Sequence, residues 1–212
     1  MITNGDNPYK NNQKITNKNN DLSEFISAIA PKGDQRKIPP LDRWQPTRIH
    51  DFDIFIKDNG DWYHEGSKMT RQSLVDLFAS VLWGQVENGQ RAYFLKTPSD
   101  LYRIQVEDVP LFINKVDKIQ QEGVDWIVFG TTNGDQIVLD DKPLYFKDFV
   151  KEGRVEHRLY LDTRFKLTAR IGANVLYHLI EMGELSEIDG KAVLNLTSGG
   201  KIHSVQAEMS DD

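Results

Sequence analysis

The sequence predicts an α+β fold made by duplication, and three recurring features predict it. Two strand–Asn-Gly–strand segments, two amphipathic helices that each stop at a glycine, and two closing strands follow one another in the same order. FDIFIKDNGDW lies over DWIVFGTTNGDQ, with Phe52 on Trp126, Ile54 on Val128, and Asn59-Gly60-Asp61 on Asn133-Gly134-Asp135. LVDLFASVLWG lies over ANVLYHLIEMG, with Gly84 on Gly183, and RAYFLKTP lies over KAVLNLTS, with Thr97 on Thr197.

Residues 1–20 are rich in Asn and Lys with almost no large apolar side chains, so they cannot offset the entropy of ordering and are expected to be a disordered arm. Residues 21–43 are expected to be a short amphipathic helix, with Leu22, Phe25, Ile26 and Ile29 at helical spacing, and then a proline-rich linker anchored by Trp44. The first α+β half is expected over 44–110. Phe52, Ile54 and Ile56 alternate, and Asn59-Gly60 is a type I′ hairpin signal. Thr70 is the expected cap of a helix with the stripe Leu74, Leu77, Phe78 and Val81, stopped by Gly84. Asn88-Gly89 turns the chain into RAYFLKT, and LYRIQVED alternates until Pro110. The second half is expected over 111–206, opening with DWIVFG after Gly123. A strand RVEHRLYL has Arg154, Arg158 and Tyr160 facing outward. A helix is expected from Phe165 to Met182, its stripe Leu167, Ile171, Val175, Leu179 and Met182. The hairpin at Asp189-Gly190 leads into KAVLNLTS, and residues 207–212 form a tail.

Composition narrows the function. The 212 residues carry a net charge of −6, which disfavours DNA or RNA as partner because phosphate neutralisation needs a basic face. The absence of cysteine removes disulfides, thiol catalysis and zinc–thiolate sites, and a cytoplasmic location is expected. No apolar run is long enough for a signal peptide or a membrane helix, so no membrane partner is expected. The chain lacks a P-loop, an HExxH pair and a GxSxG elbow, so no catalytic residue, metal or cofactor is assigned. Asp58-Asn59-Gly60-Asp61 looks like part of a calcium loop but lacks the glutamate at the twelfth position, and turn chemistry accounts for it.

Three constellations remain. Arg103 and Glu107 share a strand face, with Asp108 just beyond. GRVEHRLYLDTRFKLTAR concentrates Arg154, Arg158, Arg164, Lys166 and Arg170 within an acidic chain, and guanidinium forks before a helix suit phosphate or carboxylate. His64 beside Glu65 has the composition of a general base with its carboxylate, although structural use in the turn accounts for both.

PPLDRW, DNGDWYHEG, RQSLVDLF, FLKTP followed by IQVEDVP, TTNGD, and AR with NVLYHLIE together resemble a family of bacterial domains of unknown function, number 1285 in that series, over residues 38–205. The resemblance implies a duplicated core whose second half is loosely like a pleckstrin-homology fold. It also implies an inter-half pocket for a nucleotide-like ligand in signalling. Carried onto matching positions, it implies His64, Arg71, Thr97, Glu107, Asp108, Thr132, Asn133, Arg164 and Arg170 as site residues. ELSEIDGKAVLNL departs from the family pattern in lacking an aromatic ending.

The expectation that follows is a regulatory module binding a small anionic ligand between the halves, with Arg158, Arg164 and Arg170 on its charge and no catalysis. Two alternatives stand beside it. One is a protein–protein adaptor using residues 21–30 and the edge strands. The other is a phosphoester hydrolase with His64 or Glu107 as base.

Overall fold

The computed structural model of the chain describes residues 38–207. The expected disordered arm, the amphipathic helix at 22–29 and the tail beyond 207 lie outside the described residues. The described part is mostly β, with two α-helices and two six-stranded sheets in duplicated halves.

In the first half, strand β1 (Arg48–Ile56) turns at Asn59-Gly60 into β2 (Trp62–His64) and the two-residue β3 (Ser67–Lys68). Phe52, Ile54 and Ile56 are buried, as alternation requires. Helix α1 (Gln72–Ser80) follows, its N-cap Arg71 rather than Thr70. Phe78 in α1 packs edge-on against Phe52 at 6.4 Å between ring centroids and lies near Trp62 at 6.3 Å. Strands β4 (Leu82–Glu87), β5 (Gln90–Lys96) and β6 (Asp100–Val106) form an antiparallel meander, and β6 closes the sheet by pairing parallel with β1. Gly84 therefore lies inside β4 and does not stop the helix. A Cβ there would come within 2.6 Å of the Lys166 carbonyl oxygen, so a glycine is what lets the second half approach. The buried anchor at the start of the first half is Leu41; Trp44 is only half-buried.

The second half has the same sheet topology. Strand β7 (Leu111–Gln121) pairs with β8 (Val124–Thr131), which turns at Asn133-Gly134 into β9 (Gln136–Val138). Strands β10 (Leu144–Lys151), β11 (Arg154–Asp162) and β12 (Thr168–Ile171) follow, and β12 pairs parallel with β7. The sheet orders are β3-β2-β1-β6-β5-β4 and β9-β8-β7-β12-β11-β10, identical when six is added to each label. Duplication is thus present, but in a different register from the sequence alignment. β1 corresponds to β7, not to β8. Helix α2 (Ala173–Met182), with the separate sheet of β13 (Glu184–Ile188), β14 (Lys191–Ser198) and β15 (Lys201–Ala207), lies beyond the six-strand repeat. The two Asn-Gly turns share one local pattern all the same. Lys57 N–H donates to the Asp61 carbonyl as Thr131 N–H does to that of Asp135, each at 2.9 Å.

The helix expected from Phe165 begins only at Ala173. Residues Arg164–Lys166 form a 3-10 turn and Thr168–Ile171 are strand, with Leu167, Ala169 and Ile171 buried at period two. Residues 158–161 of β11 are buried on both faces, so Arg158 and Tyr160 do not face solvent.

Candidate functional site: a cleft between the halves

The face that the second sheet turns toward the first is assembled by register. Across β10, β11 and β12, Tyr145 lies opposite Tyr160 and Tyr160 opposite Arg170; one pair along, Lys147 lies opposite Arg158. Side chains at alternate positions share a face, so Arg158, Tyr160 and Asp162 also point the same way. From the first half, the β4–β5 hairpin and β6 close over them. Between lies a cleft of about 710 Å³, walled by Tyr93, Tyr145 and Tyr160 and by the cations Arg91, Arg103 and Lys147, with Asp108 and Glu87 among its carboxylates. That volume falls within the range of small-molecule pockets.

One end of the cleft is bolted by charge. Asp58, 7% exposed, accepts from Arg158 and from Lys151, each at 2.8 Å. Arg158 is 7% exposed, also donates to Asp108 (2.8 Å) and Glu156 (2.6 Å), and lies over the Phe149 ring at 3.9 Å. Burial alone would raise the Asp58 pKa, but hydrogen bonds from Lys151 and Arg158 outweigh it and hold the carboxyl below its ordinary value. Those same carboxylates keep Arg158 more firmly protonated than usual, against the effect of its burial. Asp108 carries this network into the cleft by accepting from the Tyr160 hydroxyl at 2.9 Å. Glu107 accepts from the Asp58 backbone N–H at 3.0 Å.

Arg170 stands apart within the cluster. It lies 4.9 Å from the centre of the Phe112 ring, and its nearest carboxylate, Asp58, is 3.8 Å away. Burial, and then the neighbouring Arg158, lower its pKa. At the far wall Arg91 donates to the Thr168 hydroxyl and pairs with Asp162 at 3.2 Å, while Arg103 pairs with Glu87 at 3.0 Å. Lys147 makes no ion pair among the described residues. Burial pushes the Tyr93 hydroxyl up to about 12, and burial also raises Tyr145 and Tyr160. All three are therefore neutral at neutral pH, and the Tyr145 hydroxyl donates to Asp162 at 3.2 Å as that of Tyr160 does to Asp108.

Of the sequence-nominated residues, Arg158, Arg170, Glu107 and Asp108 come together at this junction. The others do not join them. Arg164 pairs with Asp135 at 3.0 Å and donates to the Ala79 carbonyl at 2.8 Å, capping the end of α1 from the other half. Thr97 is buried and closes its own turn with the Asp100 backbone. Thr132 and Asn133 belong to the β8–β9 turn, where the Thr132 N–H donates to the Phe112 carbonyl. Arg71 is exposed at the start of α1 and reaches Ser73. His64 is held by the Asp53 carbonyl at 2.9 Å and packs near Phe52. No group of three or more His, Asp or Glu among the described residues is arranged to hold a metal.

Sequence reasoning missed Arg91, Tyr93, Tyr145, Lys147 and the hub Asp58, which it read as turn chemistry. A signal was present. Arg91–Ala–Tyr93, Tyr145–Phe–Lys147 and Arg158–Leu–Tyr160 each place a cation two residues from a tyrosine, hence on one strand face.

Comparison with known proteins agrees with this architecture. No curated protein matches. A crystal structure of a DUF1285 family protein from Silicibacter pomeroyi DSS-3 is similar with a TM-score of 0.69 and 26% identity, covering 88% of this chain and 94% of that one. A DUF1285 family protein from Shewanella baltica OS155 is similar at 24% identity with a TM-score of 0.44, covering 61% of this chain and 91% of that one. The family model described as the N-terminal domain of the domain of unknown function DUF1285 matches residues 39–109, and the one described as the C-terminal domain of the protein of unknown function DUF1285 matches 110–205. The chain belongs to the DUF1285 family.

Proposed function

We propose that the chain is a regulatory module, acting in signalling, that binds a small anionic and ring-bearing molecule, nucleotide-like in chemistry, in the cleft between its halves. The observation that carries this is the lining. Tyr145 offers a half-open ring face beside the buried Tyr93 and Tyr160, while Arg91, Arg103 and Lys147 stand around them with only the two arginines already paired. Aromatic faces suit a planar ring, and cations suit its phosphate or carboxylate. Arg170, cross-strand from Tyr160 and weakly paired, is a further cation for that charge. An acidic chain with a local basic cleft favours a small ligand over a nucleic acid.

Thermal-shift titration against nucleoside monophosphates, diphosphates and cyclic nucleotides tests the proposal. A ligand at one hundred times its Kd stabilises by about 2.7 kcal/mol. We expect at least one nucleotide to raise the Tm, and Lys147→Ala and Arg103→Ala to weaken the effect together. No shift with any nucleotide at millimolar concentration contradicts the proposal.

Two finer readings belong to the same proposal. The likeness of the second half to a pleckstrin-homology fold is supported by a mainly antiparallel sheet followed by a helix, although three more strands come after. A cytoplasmic location is supported by the absence of cysteine; no helix among the described residues is long and apolar enough to cross a membrane. Neither the adaptor nor the hydrolase reading has a specific observation in its favour within the cleft.

A further inference from the structure

An unpaired strand edge offers a row of N–H and C=O groups to any extended chain, and folds protect such edges by shortening, covering or charging them. Both edges of the first sheet are protected. Strand β3 is two residues long, and β4 is met by the 3-10 turn at Gly84. In the second sheet β9 has three residues and β10 packs on β15, which covers that edge of the small sheet as well. Strand β13 differs. It is five residues long, pairs with β14 alone among the described residues, and is exposed throughout, with Leu185 at 61% and Ile188 at 53%. Helix α2, packed against it, adds Tyr177 at 69% and the half-exposed Ile180.

Charge decides what fits there. From Ile171 to Gly190 the chain has Glu181, Glu184, Glu187 and Asp189 and no lysine or arginine. Two copies meeting edge to edge would gather the carboxylates of both along one seam, with no lysine or arginine on either β13, which like-charge repulsion opposes. Glu184 and Ile188 share one face of β13 and Leu185 and Glu187 the other, so a strand with a lysine or arginine opposite each glutamate and an apolar residue opposite Leu185 and Ile188, spaced three apart, would match both faces.

We propose that β13 is a docking edge for a basic, extended segment of a partner protein, which adds as a further strand to the small sheet. Backbone hydrogen bonds hold it, and its side chains on the two faces read one carboxylate and one apolar residue each, Glu184 with Ile188 and Glu187 with Leu185. This surface is separate from the cleft and does not depend on the ligand proposed there.

The test is fluorescence anisotropy of a labelled peptide repeating valine, lysine and serine in that order, the spacing that matches β13, against the full chain. The same peptide methylated on alternate backbone nitrogens serves as a probe of strand pairing. We expect saturable binding that weakens by about tenfold or more on backbone methylation, and similarly with Glu184→Lys/Glu187→Lys or Leu185→Asp. These residues are exposed, so the variants keep the fold, which circular dichroism checks. Equal binding of the methylated peptide would overturn the proposal, since attraction to an acidic protein would then explain everything. So would unchanged binding by the variants, or a dimer in sedimentation that Leu185→Asp dissociates.

Discussion

A carboxylate taken out of water costs several kcal/mol unless cations meet it, and Asp58 is met by Arg158 and Lys151 from the opposite half. Removing it leaves Arg158 buried with part of its fork unmatched. We expect Asp58→Asn to lower unfolding stability by about 3 kcal/mol in urea denaturation; a loss below the error of the measurement would contradict the hub role. The pH dependence has a definite sign. The folded-state pKa of Asp58 is lowered from an ordinary value of 3.8, so its stabilising effect is complete above that value. It disappears as pH falls through the lower folded-state pKa. Asp58→Asn should therefore flatten the acid limb of the stability curve below about pH 4 and shift the neutral region downward. Gly84 makes a second residue-scale case. Gly84→Ala sets a Cβ 2.6 Å from the Lys166 carbonyl oxygen, a backbone atom that cannot rotate away. A loss of about 1–3 kcal/mol is expected, read as a lower urea midpoint.

Elements were legible where their periodicity was unshared and illegible where two periods coincided. Phe52, Ile54 and Ile56 admit only a strand, and α1 and the Asn-Gly turns follow from equally local chemistry. Leu167, Ile171, Val175 and Leu179 step by four, which reads as one helix; but Leu167, Ala169 and Ile171 also step by two, and pairing with β7 and β11 selects the strand. Gly172 then separates strand from helix, where a side chain would strike Phe112 and the Ile113 carbonyl. Strand β7 escaped notice because its second half, from Lys115 to Gln121, is mostly exposed and polar, giving no apolar alternation. Backbone 13Cα secondary shifts separate the two readings of 165–182. Negative values at Thr168–Ile171 and positive ones from Ala173 are expected; positive values throughout would restore the long helix.

At the scale of the whole molecule, duplication was readable as a list of elements but not as a topology. The pairs that define it, β1 with β6 and β7 with β12, join strands about 50 residues apart through crossovers, and no local pattern announces such partners. The candidate site inherits that difficulty. Arg158 and Arg170 stand out as cations within an acidic chain, and Glu107 and Asp108 by their place on and just past one strand face, whereas Tyr93, Tyr145 and Lys147 gain meaning only when two sheets face each other. Arg164 looked like an anion ligand because it precedes a stretch with helical spacing; with that stretch a strand, its fork instead closes α1. The halves then act as two walls of one cleft, fastened at Asp58 and Arg158 and lined by tyrosine faces and cations. The most direct measurement is a 1H–15N correlation spectrum of the full chain titrated with the nucleotide that gives the largest thermal shift. Saturable shifts are expected at the amides of 87–93, 103–109, 145–147, 160 and 168. Shifts that fail to saturate, or that gather at α2 and β13 while the cleft amides stay still, would contradict it.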